Sequence, residues 1–489
     1  MYGDFARVTF DPLRNRSRVL MQQGRVQLEA DWNEQGAIFS YLLRTLARDL
    51  IGPEGGPADR CGFQILTRSE RDELKDGEER KAALDKMDAA DFLIDKGHYY
   101  VDGILCVNPE PVAYSAQQTV VGPPQEKLAL TEPGYLVYLD LVEHSVFAAQ
   151  DESMLEVALG IETAIRARVS WVVRTARVTP TPKGGCDDIT PSWADLVDTW
   201  QGRNRGWMRC HAGRKETSTD PCIVSAESRY RGAENQLYRI EVHRGGVFGG
   251  DTKSKGYSKS RSGAEEGDRP TFKFSRVNGS AVYKVDSFKD PVATLADLGR
   301  DDRLRLTEGD WVELLDDTTV LPDKPGPLRQ VASIDTYSRQ VTLEPLKAGV
   351  NTVGQDESRH PIMRRWDQRE GDPNGHGLKL EDGVAAIELN TWIPLEDGIE
   401  IQFEPPRNSK GEVVFRAGDY WLVPARVTAG DIIDWPRDTA GEAMAIPPHG
   451  IEHHYARLAI LSIENGQLKV ERQCRKSFEL EVGMVTKTV

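Results

Sequence analysis

The sequence predicts a mainly β protein: several β-sandwich or barrel-like subdomains preceded by an N-terminal arm and one amphipathic helix. Three observations carry that expectation. One early segment has apolar residues at helical spacing. From Ile94 onward the apolar residues gather in short β-branched and aromatic runs bounded by Gly, Pro, Asn or Asp. The chain of 489 residues also holds 44 glycines and 27 prolines, enough for a turn-rich β fold.

Residues 1–23 read as an extended arm. Residues 26–51 read as the helix, because Leu28, Trp32, Phe39, Leu42, Leu46 and Leu50 recur at intervals of three, four or seven. Glu29 and Asp31 near its start and Arg44 and Arg48 near its end suit the macrodipole, and Gly52-Pro53 supplies a stop. Residues 69–87 are mostly charged and suggest a short helical excursion on the surface. The runs HYYVDGILCV, YLVYLDLVEH, VSWVVRTARV, LYRIEVH, FKFSRVNGSAVYKV, DWVELLD, RQVTLE and AIELNTWI are strand candidates.

Residues 245–269 are almost free of apolar side chains and predict an exposed mobile loop. Residues 304–346 predict three or four strands with a tight turn at Tyr337-Ser338, the size of a small barrel or inserted β subdomain. No tandem repeat is present, which disfavours a solenoid or propeller. The expected division is 1–60, arm and helix as an assembly element; 61–245, a first β domain; 246–270, the loop; 271–350, the small barrel-like subdomain; and 351–489, a C-terminal β domain.

With 62 Lys+Arg against 77 Asp+Glu the net charge is −15, which argues against a general phosphate-backbone binder, so no nucleic acid partner is expected. The longest apolar stretches, such as 135–142, are strand-length, and no membrane insertion is expected. Asp4 and Asp11 interrupt the stretch where a secretory signal would be apolar, so the expectation is no signal peptide and assembly in the cytoplasm. Six cysteines without a CxxC pair are read as reduced thiols.

Candidate chemistry is thin. His449 and His453 stand four apart as in HExxH, with Glu452 beside them, but Gly450 and the Pro-Pro pair before it suit a hydrogen-bonded turn entering a strand better than a zinc helix. Cys186, Cys210, His211 and Cys222 include the right ligand types for zinc at loose spacing, and are read as unconnected thiols. No GxSxG, GxxxxGK[ST] or strand-turn-helix GxGxxG occurs. Asp310, Glu313, Asp316, Asp317, Glu396, Asp397 and Glu400 would serve a glycosidase only if two faced across a cleft, and otherwise read as solvated strand edges. Exposed tryptophans among Trp193, Trp200, Trp207 and Trp366 would favour sugar stacking, whereas Trp311, Trp392 and Trp421 lie in apolar alternation and read as core. No catalytic residue, cofactor or metal is assigned.

The opening GDFARVTFDPLRNRSRVLMQQGRVQLEADWNEQ resembles the start of a family of uncharacterised proteins from phage-tail-like, contractile injection system gene clusters. Further pieces match in order, among them HYYVDGILCVN, GYLVYLDLVEH, PCIVSAESRYRGAENQLYRIEVH, EGDWVELLDD and PPHGIEHHYARLAILS, so the resemblance runs from residue 3 to about 475. It implies a structural component of such a particle, at or near the baseplate, with particle subunits of the baseplate or sheath region as partners and a homo-oligomeric state. It supplies no catalytic residues. Longer members carry an appended β-helix, and the end of this sequence soon after Arg475 favours an internal accessory or cage-like role over host recognition. A tail-associated carbohydrate-binding or polysaccharide-degrading protein is the alternative, and an injected cargo protein a third.

The expected assembly interface is the most basic stretch of this acidic chain together with its apolar neighbours: Phe5, Arg7, Phe10, Arg14, Arg16, Arg18, Met21, Arg25 and Trp32. The arm would be a docking strand and the helix its brace; the competing expectation is an arm that packs only on its own subunit.

Overall fold

The computed structural model of the chain describes residues 1–73, 78–117, 126–202, 204–212, 230, 232–248, 269–319, 325–346, 353–371, 377–406, 412–427, 431–432 and 435–479. The fold is mainly β. In chain order its helices are α1 (Glu29–Ile51), α2 (Glu78–Asp85) and α3 (Trp193–Gln201). The strands of the three main sheets begin with β1 (Tyr135–Val146), β2 (Arg166–Arg177), β3 (Gln236–Arg244) and β4 (Thr271–Ser275). Next come β5 (Val282–Lys289), β6 (Val292–Leu295), β7 (Trp311–Leu315), β8 (Leu328–Asp335), β9 (Gln340–Leu343) and β10 (Ile362–Trp366). The last are β11 (Tyr420–Arg426), β12 (His453–Glu464) and β13 (Gln467–Gln473).

The first sheet has the order β2-β1-β12-β13. Its strands alternate side chains between faces, so Val137, Leu139 and Leu141 of β1 point into one core with Phe63, Phe92, Tyr99 and Leu458. The second sheet places β4, β3 and β11 side by side within six strands, and buries Tyr238, Ile240, Val242, Phe272, Phe274 and Trp421 against Phe403 and Ile401 of the strand Ile399–Glu404. The third is a closed barrel, β5-β6-β9-β8-β7-β10, filled by Tyr283, Val312, Leu314, Val341 and Met363. Closure removes the sheet edges that would otherwise be open to other chains.

Against the range 271–350, β5 to β9 of the barrel lie inside it, β4 also lies inside it but belongs to the six-stranded sheet, and β10, which closes the ring, lies beyond it. The barrel's tight turn is where the sequence puts it, since Asp335 accepts hydrogen bonds from the backbone of Tyr337 and Ser338. The blocks expected over 61–245 and 351–489 are not followed by the strand pairing. β12 and β13 return to complete the sheet begun by β1 and β2, and β11 joins β3. Antiparallel pairing is non-local here, and a run of apolar residues does not carry the identity of its partner strand.

That return also overturns the reading of all cysteines as reduced: Cys186 and Cys474 form a disulfide, with Cα atoms 5.8 Å apart across a sequence separation of 288. Cys61 and Cys106 are free thiols, Cys210 is buried in the core beside Met208 and Ile401, and Cys222 lies outside the described residues. The loop expected over 245–269 lies, from 249 to 268, outside the described residues; its first part is instead a strand, Gly246–Phe248, paired with Val413–Phe415. The surface excursion is a 3₁₀ turn, Arg68–Glu73, followed by α2.

Candidate functional site

Helix α1 starts where Asp31 accepts from the Leu28 backbone, and stops at Gly52, whose φ of 94° ends the helical path. It touches the body through a narrow face of Ala30, Glu34 and Ile38. The Asp102-Gly103 turn comes so close that a Cβ at Gly103 would collide with the Arg44 carbonyl, so only glycine fits there. Arg44 reaches Glu143 at 2.7 Å, and Arg48 lies 3.6 Å from Asp102.

The apolar stripe is not the packed face. Leu28, Trp32, Phe39, Leu42, Leu43, Leu46 and Leu50 are all exposed, and Trp32 is the exposed member of the chain's ten tryptophans. This side of the helix has no cover among the described residues.

The arm divides in two. Its first residues are threaded into the subunit: Tyr2 and Ser145 exchange hydrogen bonds at 3.0 Å, Asn278 donates to the Gly3 carbonyl at 3.0 Å, and Arg426 donates to the Ala6 carbonyl at 2.9 Å. Thr9 and Arg16 both bind Glu34 of α1, at 2.7 and 2.6 Å, and the Phe10 ring lies 5.7 Å from Tyr41. Of the expected interface residues, Phe5, Arg7 and Phe10 are therefore partly buried on their own subunit, while Arg14, Arg16, Arg18, Met21, Arg25 and Trp32 are exposed.

Beneath the arm lies a layer of charge that sequence reasoning missed. Alternation on β3 sends Tyr238, Ile240 and Val242 into the core and Arg239, Glu241 and His243 to the other face, where Lys273 of β4 stands in register with Glu241. That face is covered by the outside of the barrel. Lys273 reaches Glu313 of β7 at 2.6 Å and Glu241 at 3.4 Å, and Trp366 donates to Glu313 at 2.9 Å. Arg239 binds Glu241 at 2.5 Å, and Tyr2 donates to the same carboxylate at 2.9 Å.

The aromatic and guanidinium groups form a ladder. Arg239 lies 3.4 Å from the Tyr420 ring centre and 3.8 Å from that of Tyr2, and Arg364 stacks 3.8 Å from the other side of Tyr2. A cavity of about 80 Å³ remains, lined in part by Tyr2, Glu241, His243, Lys273 and Arg364. Burial alone would raise the Glu241 carboxyl, but Arg239, Lys273 and the Tyr2 hydroxyl hold it down at about 2. Burial, with Lys273 and Arg244 nearby, keeps His243 well below its ordinary value. Glu241 is thus a fixed charge rather than a proton donor at neutral pH. The layer holds the arm, the sheet and the barrel together.

The other candidates are taken up by local partners. His453 binds Asp140 at 2.7 Å and His454 binds Asp102 at 2.9 Å, while the His449 ring lies against Tyr420, at 5.5 Å between centres. Among the described residues no group of three or more His, Cys, Asp or Glu is placed to hold a metal ion. Glu396 is bound by Arg276 at 2.6 Å, Glu400 by His211 at 2.9 Å, and Asp317 by His360 at 2.8 Å. Trp366 is buried, and Trp200 stacks on Tyr138 at 4.0 Å with Trp193 5.7 Å away, as packing within the subunit. No described helix is long and apolar enough to cross a membrane.

Fold and site together define a multi-sheet β protein with a tightly bonded interior and an uncovered apolar helix face. Residues 1–180 and 204–482 match the sequence profile of a family of unknown function, DUF6519, and the chain belongs to that family. No curated protein and no solved structure matches it.

Proposed function

We propose that this chain is a structural subunit of a contractile injection system or related phage-tail-like particle, a baseplate-associated accessory or cage-like protein that acts by protein–protein assembly. The observation that supports this reading is the exposed apolar side of α1, flanked by the exposed basic part of the arm. Soluble monomers seldom leave so many large apolar side chains contiguous in water, and such surfaces mark interaction sites. The resemblance of the opening and later segments to proteins of such gene clusters is what supports this kind of particle over another assembly. The placement of the tryptophans gives the sugar-binding alternative no support, because Trp366 is inside and Trp193 and Trp200 pack on Tyr138.

The test is incorporation. A Trp32→Glu, Leu46→Glu variant, purified as a folded protein, is expected to be absent from particles assembled in cells that supply it in place of the native chain. Particles that contain the variant at the native level would overturn the reading.

A further inference from the structure

The exposed side of α1 has a finer pattern than amphipathicity. Trp32, Gly36, Phe39, Leu43, Leu46 and Leu50 follow one another at alternating steps of four and three residues, the spacing of a coiled-coil seam. The side chains along it are 64, 60, 69, 56 and 77 % exposed at Trp32, Phe39, Leu43, Leu46 and Leu50. A seam of this kind fits a second α-helix.

We propose that the occupant is a second copy of this chain, its α1 packed antiparallel against the first. The inference rests on the assembly reading and names its partner. The seam is symmetric about position 41. With two copies antiparallel, Trp32 opposes Leu50 of the partner subunit, Gly36 opposes Leu46 of the partner subunit, and Phe39 opposes Leu43 of the partner subunit. Each layer then sets a larger side chain against a smaller one. Gly36 is an open notch, with nothing within 4 Å of where its Cβ would be, and receives the facing leucine as a hole receives a knob.

Charge agrees with a self-pair. The positions flanking the seam are Asn33, Gln35, Ser40, Leu42, Ala47 and Asp49, so chains of net charge −15 meet with no like charges face to face. Asp49 falls beside Gln35 of the partner subunit, and Leu42 meets its own counterpart. The antiparallel sense also brings the acidic first turn, Glu29 and Asp31, toward the Arg48 end of the other helix.

The experiment uses the isolated full chain. Sedimentation velocity over about 1–100 μM should show a monomer–dimer equilibrium. Phe39→Asp with Leu43→Asp should shift the midpoint at least about 100-fold toward monomer without altering the far-UV circular dichroism. A native chain that stays monomeric throughout would overturn the proposal while leaving the particle reading intact, because incorporation is measured separately. Orientation is read by cross-linking. Leu42→Cys should give an oxidised covalent dimer and Leu50→Cys should not, with the unmodified chain as control for Cys61. Cross-linking at Leu50→Cys alone would overturn the antiparallel arrangement, and dimers untouched by the Phe39 and Leu43 changes would overturn the seam itself.

Discussion

Two regions of this molecule reverse the usual distribution of polarity. Between the six-stranded sheet and the barrel, Arg239, Glu241, Lys273, Glu313 and Arg364 are buried. On α1, Trp32, Phe39, Leu43, Leu46 and Leu50 are in water. The difference lies in who supplies the partner. The buried charges meet opposite charges and aromatic faces from strands of their own chain, which offsets desolvation. Nothing described in the chain covers the apolar residues of α1. Polarity alone thus does not sort residues into inside and outside; the available neighbour does.

The largest effect should come from breaking the charged layer. Lys273→Met leaves Glu313 and Glu241 short of a buried cation and should cost about 3–5 kcal/mol in chemical denaturation. Adding Glu313→Leu should recover much of that, since removing both members leaves no orphan charge. A loss below about 1 kcal/mol for the single change would show that the layer does not hold the sheet to the barrel.

Next is acid. Glu241 ionises at about 2 in the folded chain against an ordinary 4.5. A carboxylate whose folded value is depressed adds stability that is complete above its unfolded value and drains away as pH falls through the folded one. The window is therefore from about pH 5 down to about pH 2, and the loss roughly 3 kcal/mol. Glu241→Gln should flatten this part of a stability-against-pH curve. An unchanged slope would place the acid sensitivity elsewhere.

Tyr2→Ala should cost about 2 kcal/mol by removing the ring between two guanidinium groups, and should open the first ten residues of the arm to limited proteolysis. Tyr2→Phe keeps the stack and should cost less. Smallest of all, Leu43→Asp should change the stability of the dilute chain by no more than about 0.5 kcal/mol, because its side chain is largely exposed among the described residues. A loss of more than about 2 kcal/mol would mean that α1 is covered after all.

How far the sequence discloses this follows from the physics of each feature. Local patterns are legible: the helix from its periodicity, the turn at Tyr337-Ser338 from its place between two strand runs, and β5, β7, β8 and β9 of the barrel from their β-branched runs, whereas β6 and β10 lie in runs that carry no such signal. The facing of α1 is not legible, since an apolar stripe says that a helix wants a partner and not whether its own chain provides one. LYRIEVH read as an apolar strand because alternation marks a polar face without saying that a barrel will bury it. The Cys186–Cys474 pair and the return of β12 and β13 were hidden for one reason: both join residues about 300 positions apart.

That return has a consequence for synthesis. β1 pairs on one side with β2, close behind it in the chain, but its other side waits for β12. At roughly 5–20 residues per second, tens of seconds pass between translation of the two strands. During that interval the nascent chain presents an open β edge while α1, already outside the ribosome, presents its leucines. Neighbouring ribosomes on one message would hold several such chains close together. Sealing of the first sheet by the last strands is therefore also the step that ends a period of vulnerability to wrong pairing, and it gives slow translation between residues 146 and 453 a cost that a locally connected fold would not carry.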